Sequence, residues 1–198
     1  LALLLPALPA AADMGHPSVF AHVQADELEY RVTDGHDSLH WDAFAWIGGD
    51  DHKLWLKTEG EKPVDEAVER AELQVLYNRR VSDFYDARVG LRYDLRPEPD
   101  RGFLVLGLAG LAPYFIELDA SVFLSDRGDV SARLEAETDW PITQRLVLQP
   151  TLELNAAATS DERRGVGSGL NDLELGLRLR YEVAREYAPY VGVNWERL

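Results

Sequence analysis

All five histidines of the chain, His16, His22, His36, His40 and His52, fall within its first 52 residues, and the single methionine, Met14, sits two residues before His16. Imidazole nitrogen and thioether sulfur are side-chain donors suited to copper, and the absence of cysteine excludes a thiolate site. These six residues are the candidate metal ligands. Only His36 and His40 stand four apart, so most of the set lacks the spacing of a compact preformed site. Solvated histidines in an arm and a loop are the alternative reading. His40 alternates with Asp42, which puts the imidazole on the polar face of a strand beside a carboxylate.

Catalytic arrangements are poor. No G-x-S-x-G elbow occurs; Ser168 sits in Gly167-Ser168-Gly169 with no histidine after His52 to serve it locally. The glycine-rich run Gly165 to Gly169 opens no helix, which argues against a phosphate loop. The chain reads as a binding or transport protein and not as an enzyme. A hydrolase using a distant histidine, or a general pore with incidental histidines, is the alternative.

The elements that must position these residues are strands. From about residue 24, apolar and polar residues alternate in segments of about ten, broken by Gly, Pro and Asp turns. In Tyr85 to Arg96, Tyr85, Ala87, Val89, Leu91, Tyr93 and Leu95 oppose Asp86, Arg88, Gly90, Arg92, Asp94 and Arg96. Leu173, Leu175, Leu177, Leu179 and Tyr181 oppose Glu174, Gly176, Arg178 and Arg180 in the same way. About eleven strands are expected, near 25–33, 39–47, 53–60, 68–78, 84–96, 102–111, 114–124, 129–139, 143–155, 170–183 and 187–197. Val64 to Leu76 could also read as helix.

A soluble β-sandwich alternates too. Three features favour an all-β, antiparallel transmembrane barrel of the outer membrane, with about twelve strands in the whole protein. The polar face carries charges of both signs, as a hydrated lumen would. The segments reach the length that crosses a bilayer at a tilt. Aromatics such as Tyr85, Tyr93, Trp140 and Tyr181 sit at segment ends, like interfacial girdles. The inward charges are expected to form a cation-attracting lumen or, equally, a salt-bridge lattice that fills a narrow bore.

Charge and the N-terminus complete the frame. A net charge of -15, from 35 acidic and 20 basic residues, disfavours nucleic acid as a partner and attracts cations. Leu1 to Ala12 (LALLLPALPAAA) reads as the back half of a secretory signal peptide, cleaved after Ala10-Ala11-Ala12. The expected organisation is a partial signal peptide over 1–12, a periplasmic arm over 13–37 leading into the first strand, and a barrel over 24–198 whose last strand is missing. No run of 18 apolar residues encodes a transmembrane helix.

Three long strings carry a resemblance. WDAFAWIGGDDHKLWLKTEGE (Trp41 to Glu61), GLAPYFIELDASVFLSDRGDVSARLEAETDWPITQRLVLQPTLELN (Gly110 to Asn155) and GVGSGLNDLELGLRLRYEVAREYAPYVGVNWER (Gly165 to Arg197) resemble the copper-resistance protein B family. The resemblance covers about residues 38–198. It implies an outer-membrane barrel with a role in copper resistance and copper binding near the N-terminus. The family's N-terminal segment is rich in Met and His; Asp13-Met14-Gly15-His16 and His22 are what matches it here. The partners implied are copper ions and outer-membrane lipid, with a periplasmic copper oxidase or carrier as a further one.

Overall fold

The computed structural model describes residues 19–32, 37–160, 167–184 and 188–197. The chain forms β1 (Phe20–Arg31), β2 (Ser38–Gly48), β3 (His52–Pro63), β4 (Arg70–Arg80), β5 (Tyr85–Arg96) and β6 (Arg101–Ala112). It continues as β7 (Ile116–Ser125), β8 (Val130–Thr138), β9 (Trp140–Pro141), β10 (Leu146–Ala157), β11 (Gly169–Tyr181) and β12 (Tyr190–Arg197). The two-residue β9 prolongs β8 along β10, leaving eleven long strands in one antiparallel sheet that follows chain order. Among the described residues there is no α-helix, only a 3-10 turn at Pro113–Phe115. The segment open to a helical reading resolves into a connection over 64–69 and the start of β4. The sheet curls until Arg178 on β11 hydrogen-bonds Glu27 and, at 3.0 Å, Glu29 on β1. The fold is the all-β antiparallel barrel wall expected from the alternation.

The two faces of that wall are inverted relative to a soluble protein. On β11, Leu175 and Leu177 are 45% and 42% exposed, whereas Arg178 between Leu177 and Leu179 is 7% exposed. Leucines face out and arginines face in, because period-two alternation leaves each strand one apolar and one polar side. The connections at one rim, over 49–51, 81–84 and 113–115, are short. Those over 139–145 and 182–189 are longer than 97–100 and 126–129 at the other rim, so connection length does not divide the two rims cleanly. Pairing of β9 with β10 accounts for the first of these, since it makes the long turn an extension of the hairpin.

β1 starts at Phe20, earlier than expected and inside the stretch read as an arm, and it carries a bulge. Its register to β2 steps from Ala25↔Ala43 to Glu27↔Asp42, leaving Asp26 as the extra residue. A bulge shifts the phase of the side chains. His22 and Gln24 therefore share the inner side with Glu27 and Glu29, which strict alternation would not allow.

The interior holds two kinds of contact. Leu76, Val105 and Phe123 form a buried apolar cluster with Trp55 and Phe103 against it. Beside it lies an ion lattice centred on Arg133. This guanidinium is 2.7 Å from Glu59, 3.1 Å from Glu72 and 3.1 Å from the side-chain amide oxygen Oδ1 of Asn155. Arg92 adds bonds of 2.7 Å to Glu72 and 2.6 Å to Asp94 and lies over the Phe123 ring at 4.7 Å. Arg70 pairs with Glu59. Glu72 is only 2% exposed, so its charge depends on these partners and not on water.

Replacing Arg133 by Met should therefore destabilise the wall by about 3–5 kcal/mol, the cost of stranding buried charge. Arg133→Lys, which keeps the charge but loses the fork, should fall between. Denaturant midpoints in detergent measure both; an Arg133→Met midpoint equal to the parent's would contradict the lattice.

Candidate functional site

The curled wall encloses a cavity of about 1240 Å³ lined by residues from β1 through β12. Its wall carries two ladders of carboxylates set by strand register. Glu27↔Asp42, Asp42↔Glu59, Glu59↔Glu72 and Glu72↔Asp94 are direct cross-strand neighbours from β1 to β5. Asp119↔Glu135, Glu135↔Glu153, Glu153↔Glu174 and Glu174↔Glu196 continue from β7 to β12. Like charges directly opposite repel. The ladders persist because cations reach between their rungs: Arg133, Arg92 and Arg70 in the lattice, Arg88 and Lys57 on Asp119, and Arg178 and Arg31 between β11 and β1. Not every acid is served. Oδ1 of Asp42 is buried without a hydrogen-bond partner among the described residues.

β6 interrupts the ladders. Its inner positions include Phe103, Val105, Gly107 and Ala109, and it supplies Val105 to the apolar cluster. The cavity is therefore acidic along most of its wall and apolar at one side. Of the two expected readings of the inward charges, the salt-bridge lattice is present in the structure.

Three of the six candidate ligands lie among the described residues. His22 is on the inner side of β1, with Nε2 2.8 Å from Gln24 Oε1 and ring centroids 5.9 Å from both Phe44 and Trp46. His40 is on the inner side of β2, with Nε2 2.8 Å from Glu61 Oε1 and 3.1 Å from Ser38 Oγ. Its carboxylate neighbour is thus Glu61 across the sheet and not Asp42 along its own strand. His52 opens β3 on the outer side, where Nδ1 is 2.5 Å from the Tyr77 hydroxyl and the two rings stack. Met14, His16 and His36 lie outside the described residues.

The three described histidines do not converge. His40 pairs in register with Glu61, nine residues along β3 from His52, or about 30 Å at 3.3 Å per residue. His22 pairs with Trp46, six residues along β2 from His40, or about 20 Å. Among the described residues no three of His, Cys, Asp and Glu are grouped to hold a metal ion. His40 with Glu61 offers an imidazole and a carboxylate, donors that suit divalent copper, as a two-residue set. Ser38, His40 and Glu61 also resemble a hydrolytic trio in composition. Both the hydroxyl and the carboxylate face the same nitrogen, whereas a relay needs one partner on each side of the ring.

Sequence reasoning missed the ladders and the aromatic surroundings of His22. A signal for the ladders was present, since every long strand except β6 carries an acid on its polar face. Recognising them as rungs required the register.

Comparison with known proteins places this wall. Residues 19–198 match the family described as copper resistance protein B precursor. The chain is 44% identical over 176 residues to Copper resistance protein B of Escherichia coli, covering 89% of this chain and 59% of that protein. It is 42% identical over 180 residues to a Copper resistance protein B homolog of Pseudomonas syringae pv. tomato, covering 91% of this chain and 61% of that protein. The chain spans about three-fifths of the length of these curated relatives. A match over almost the whole wall, with its charged inner and apolar outer faces, gives one assignment: the chain belongs to the copper resistance protein B family.

Proposed function

We propose that this chain is the barrel wall of an outer-membrane copper-binding protein, which sequesters copper ions or passes them across the membrane. The observation that carries the reading is the inside-out wall: leucines exposed outside, and two carboxylate ladders facing an interior cavity. An apolar outer face suits lipid, and an acidic interior attracts cations. The family's role in copper resistance supplies the identity of the cation. Exposed Phe84, Tyr114, Phe115 and Trp140 at one rim suit the membrane–water interface. A periplasmic arm over residues 13–19, following a cleaved signal peptide, would present Met14 and His16 to copper at the barrel mouth. His22, His36, His40 and His52 complete the proposed ligand set, and a periplasmic copper oxidase or carrier is the proposed partner.

Two outcomes follow for lipid. Arg at Leu177, on the outer face, should cost about 2–4 kcal/mol in a bilayer if the position lies near the midplane. Gly176, its inner-face neighbour, is closed by Thr151 and Asn194, so Gln149 is the fair comparison. Gln149 donates to Glu137 at 3.4 Å on the inner face, and Gln149→Arg should be tolerated there. Refolding yields into vesicles decide this; equal sensitivity of the two positions would contradict the lipid-facing assignment.

For copper, titration of the refolded natural-length protein should show binding that weakens as pH is lowered, because only neutral imidazole ligates. Replacing Met14 and all five histidines by Ala should lower affinity at least about tenfold, roughly 1.4 kcal/mol. Because His40 and His52 lie at opposite ends of the wall, His40→Ala and His52→Ala should affect copper tolerance nearly additively. Unchanged affinity in the multiple variant would favour a general pore with incidental histidines.

A further inference from the structure

The long strands sort their charges by sign as well as by face. Every carboxylate on them lines the cavity or pairs with an inward arginine. Among the described residues, the outer face of the long strands therefore offers a cation no carboxylate. Basic side chains nevertheless stand on that face at strand ends. Arg79 lies directly opposite His52 in the register of β3 with β4, so the two share the outer face, and both are exposed. The next residue along β4 makes the contrast. Arg80 turns inward, donates to the Asp50 carbonyl oxygen at 2.7 Å and lies 3.7 Å from Asp51. The Arg79 guanidinium has no hydrogen-bond or ion-pair partner among the described residues.

His52 is held by its neighbour. Its Nδ1 meets the Tyr77 hydroxyl at 2.5 Å, and the two rings stack with centroids 5.8 Å apart. With Nδ1 accepting from that hydroxyl, a neutral imidazole carries its proton on Nε2 and still donates outward; a protonated one donates there too. Arg79 and His52 thus present donors side by side with no acceptor on their own face. Exposed Phe84 and Phe115 occupy turns at the same rim, which sets the pair at the level of a membrane–water interface. We propose that Arg79 and His52 form a site for the phosphate of an anionic membrane lipid, with Tyr77 fixing the imidazole. The planar guanidinium suits two phosphate oxygens and the imidazole N–H a third. Leu54 and Val75, next outward along β3 and β4, are 50% and 44% exposed and offer acyl chains an apolar surface. This rests on the membrane reading of the wall.

Native mass spectrometry of the natural-length protein in non-ionic detergent, titrated with phosphatidylglycerol, tests the site. Arg79→Gln should weaken the tightest lipid-binding step about fivefold, the worth of one cation near an anionic headgroup. Arg79→Lys should keep most of that binding. Lys62, opposite Leu39 on the outer face, stands at the other rim, so Lys62→Gln removes the same charge and should leave the step unchanged. Equal weakening by the two glutamine variants would overturn the proposal, because diffuse attraction follows net charge alone. Unchanged binding in Arg79→Gln would overturn it too, as would inorganic phosphate that binds as tightly as the lipid. The titration is read in detergent, so failure of the membrane reading would show separately, as a Leu177→Arg variant that inserts normally into vesicles.

Discussion

The contact between Arg133 and the carboxylates around it is the interaction on which the rest of the wall depends. Strand register sets Glu59 beside Glu72, and Glu135 beside Glu153. Two ladders of like charge can coexist in one interior only where cations interleave them. Arg133 does this for both, since it reaches Glu59 and Glu72 of the first ladder and lies 3.6 Å from Glu153 and 3.7 Å from Glu135 of the second. A single planar group with five donors suits that task; an ammonium does not. The lattice thus couples β3 and β4 to β8 and β10, strands that are not neighbours, and so holds the curl.

The same arrangement gives the interior its character. Arginines satisfy part of the acid complement, and the remainder, including Asp42, faces the cavity. In the proposed function, copper meets an acidic surface first and imidazoles at separate stations, with His22 and His40 about 20 Å apart on the inner face. Such spacing suits successive weak encounters better than one tight multidentate site. The outer face supplies the complementary condition: leucine, valine and aromatic side chains are exposed around the wall, an apolar surface that suits the lipid of the proposed function.

Much of this fold was legible in the sequence because period-two alternation is strong. β5 begins within one residue of its expected start and ends where expected, and β11 begins within one residue as well. The failures have physical causes. The bulge in β1 changes phase in the middle of a strand, so the inward position of His22 could not be read by counting. β6 is apolar on both faces, and alternation says nothing about which of its side chains joins Leu76 and Phe123. His52 opens a strand whose inner face is carried by Lys53, Trp55 and Lys57, so it turns outward to Tyr77. The carboxylate ladders and the His40–Glu61 pair depend on register between strands, which composition and spacing do not contain. The ligand candidates Met14, His16 and His36 remain expectations from residue chemistry.

The central claim is that the wall is inside-out in a membrane, apolar face to lipid and charged face to water. Nitroxide labels placed singly from Leu173 to Leu179 on β11, leaving out Gly176, test it directly in vesicles. The account predicts that labels at Leu173, Leu175, Leu177 and Leu179 collide preferentially with oxygen, which partitions into lipid, while those at Glu174 and Arg178 do not. Loss of that period-two alternation, or its reversal toward an aqueous nickel chelate at the leucine positions, would contradict it.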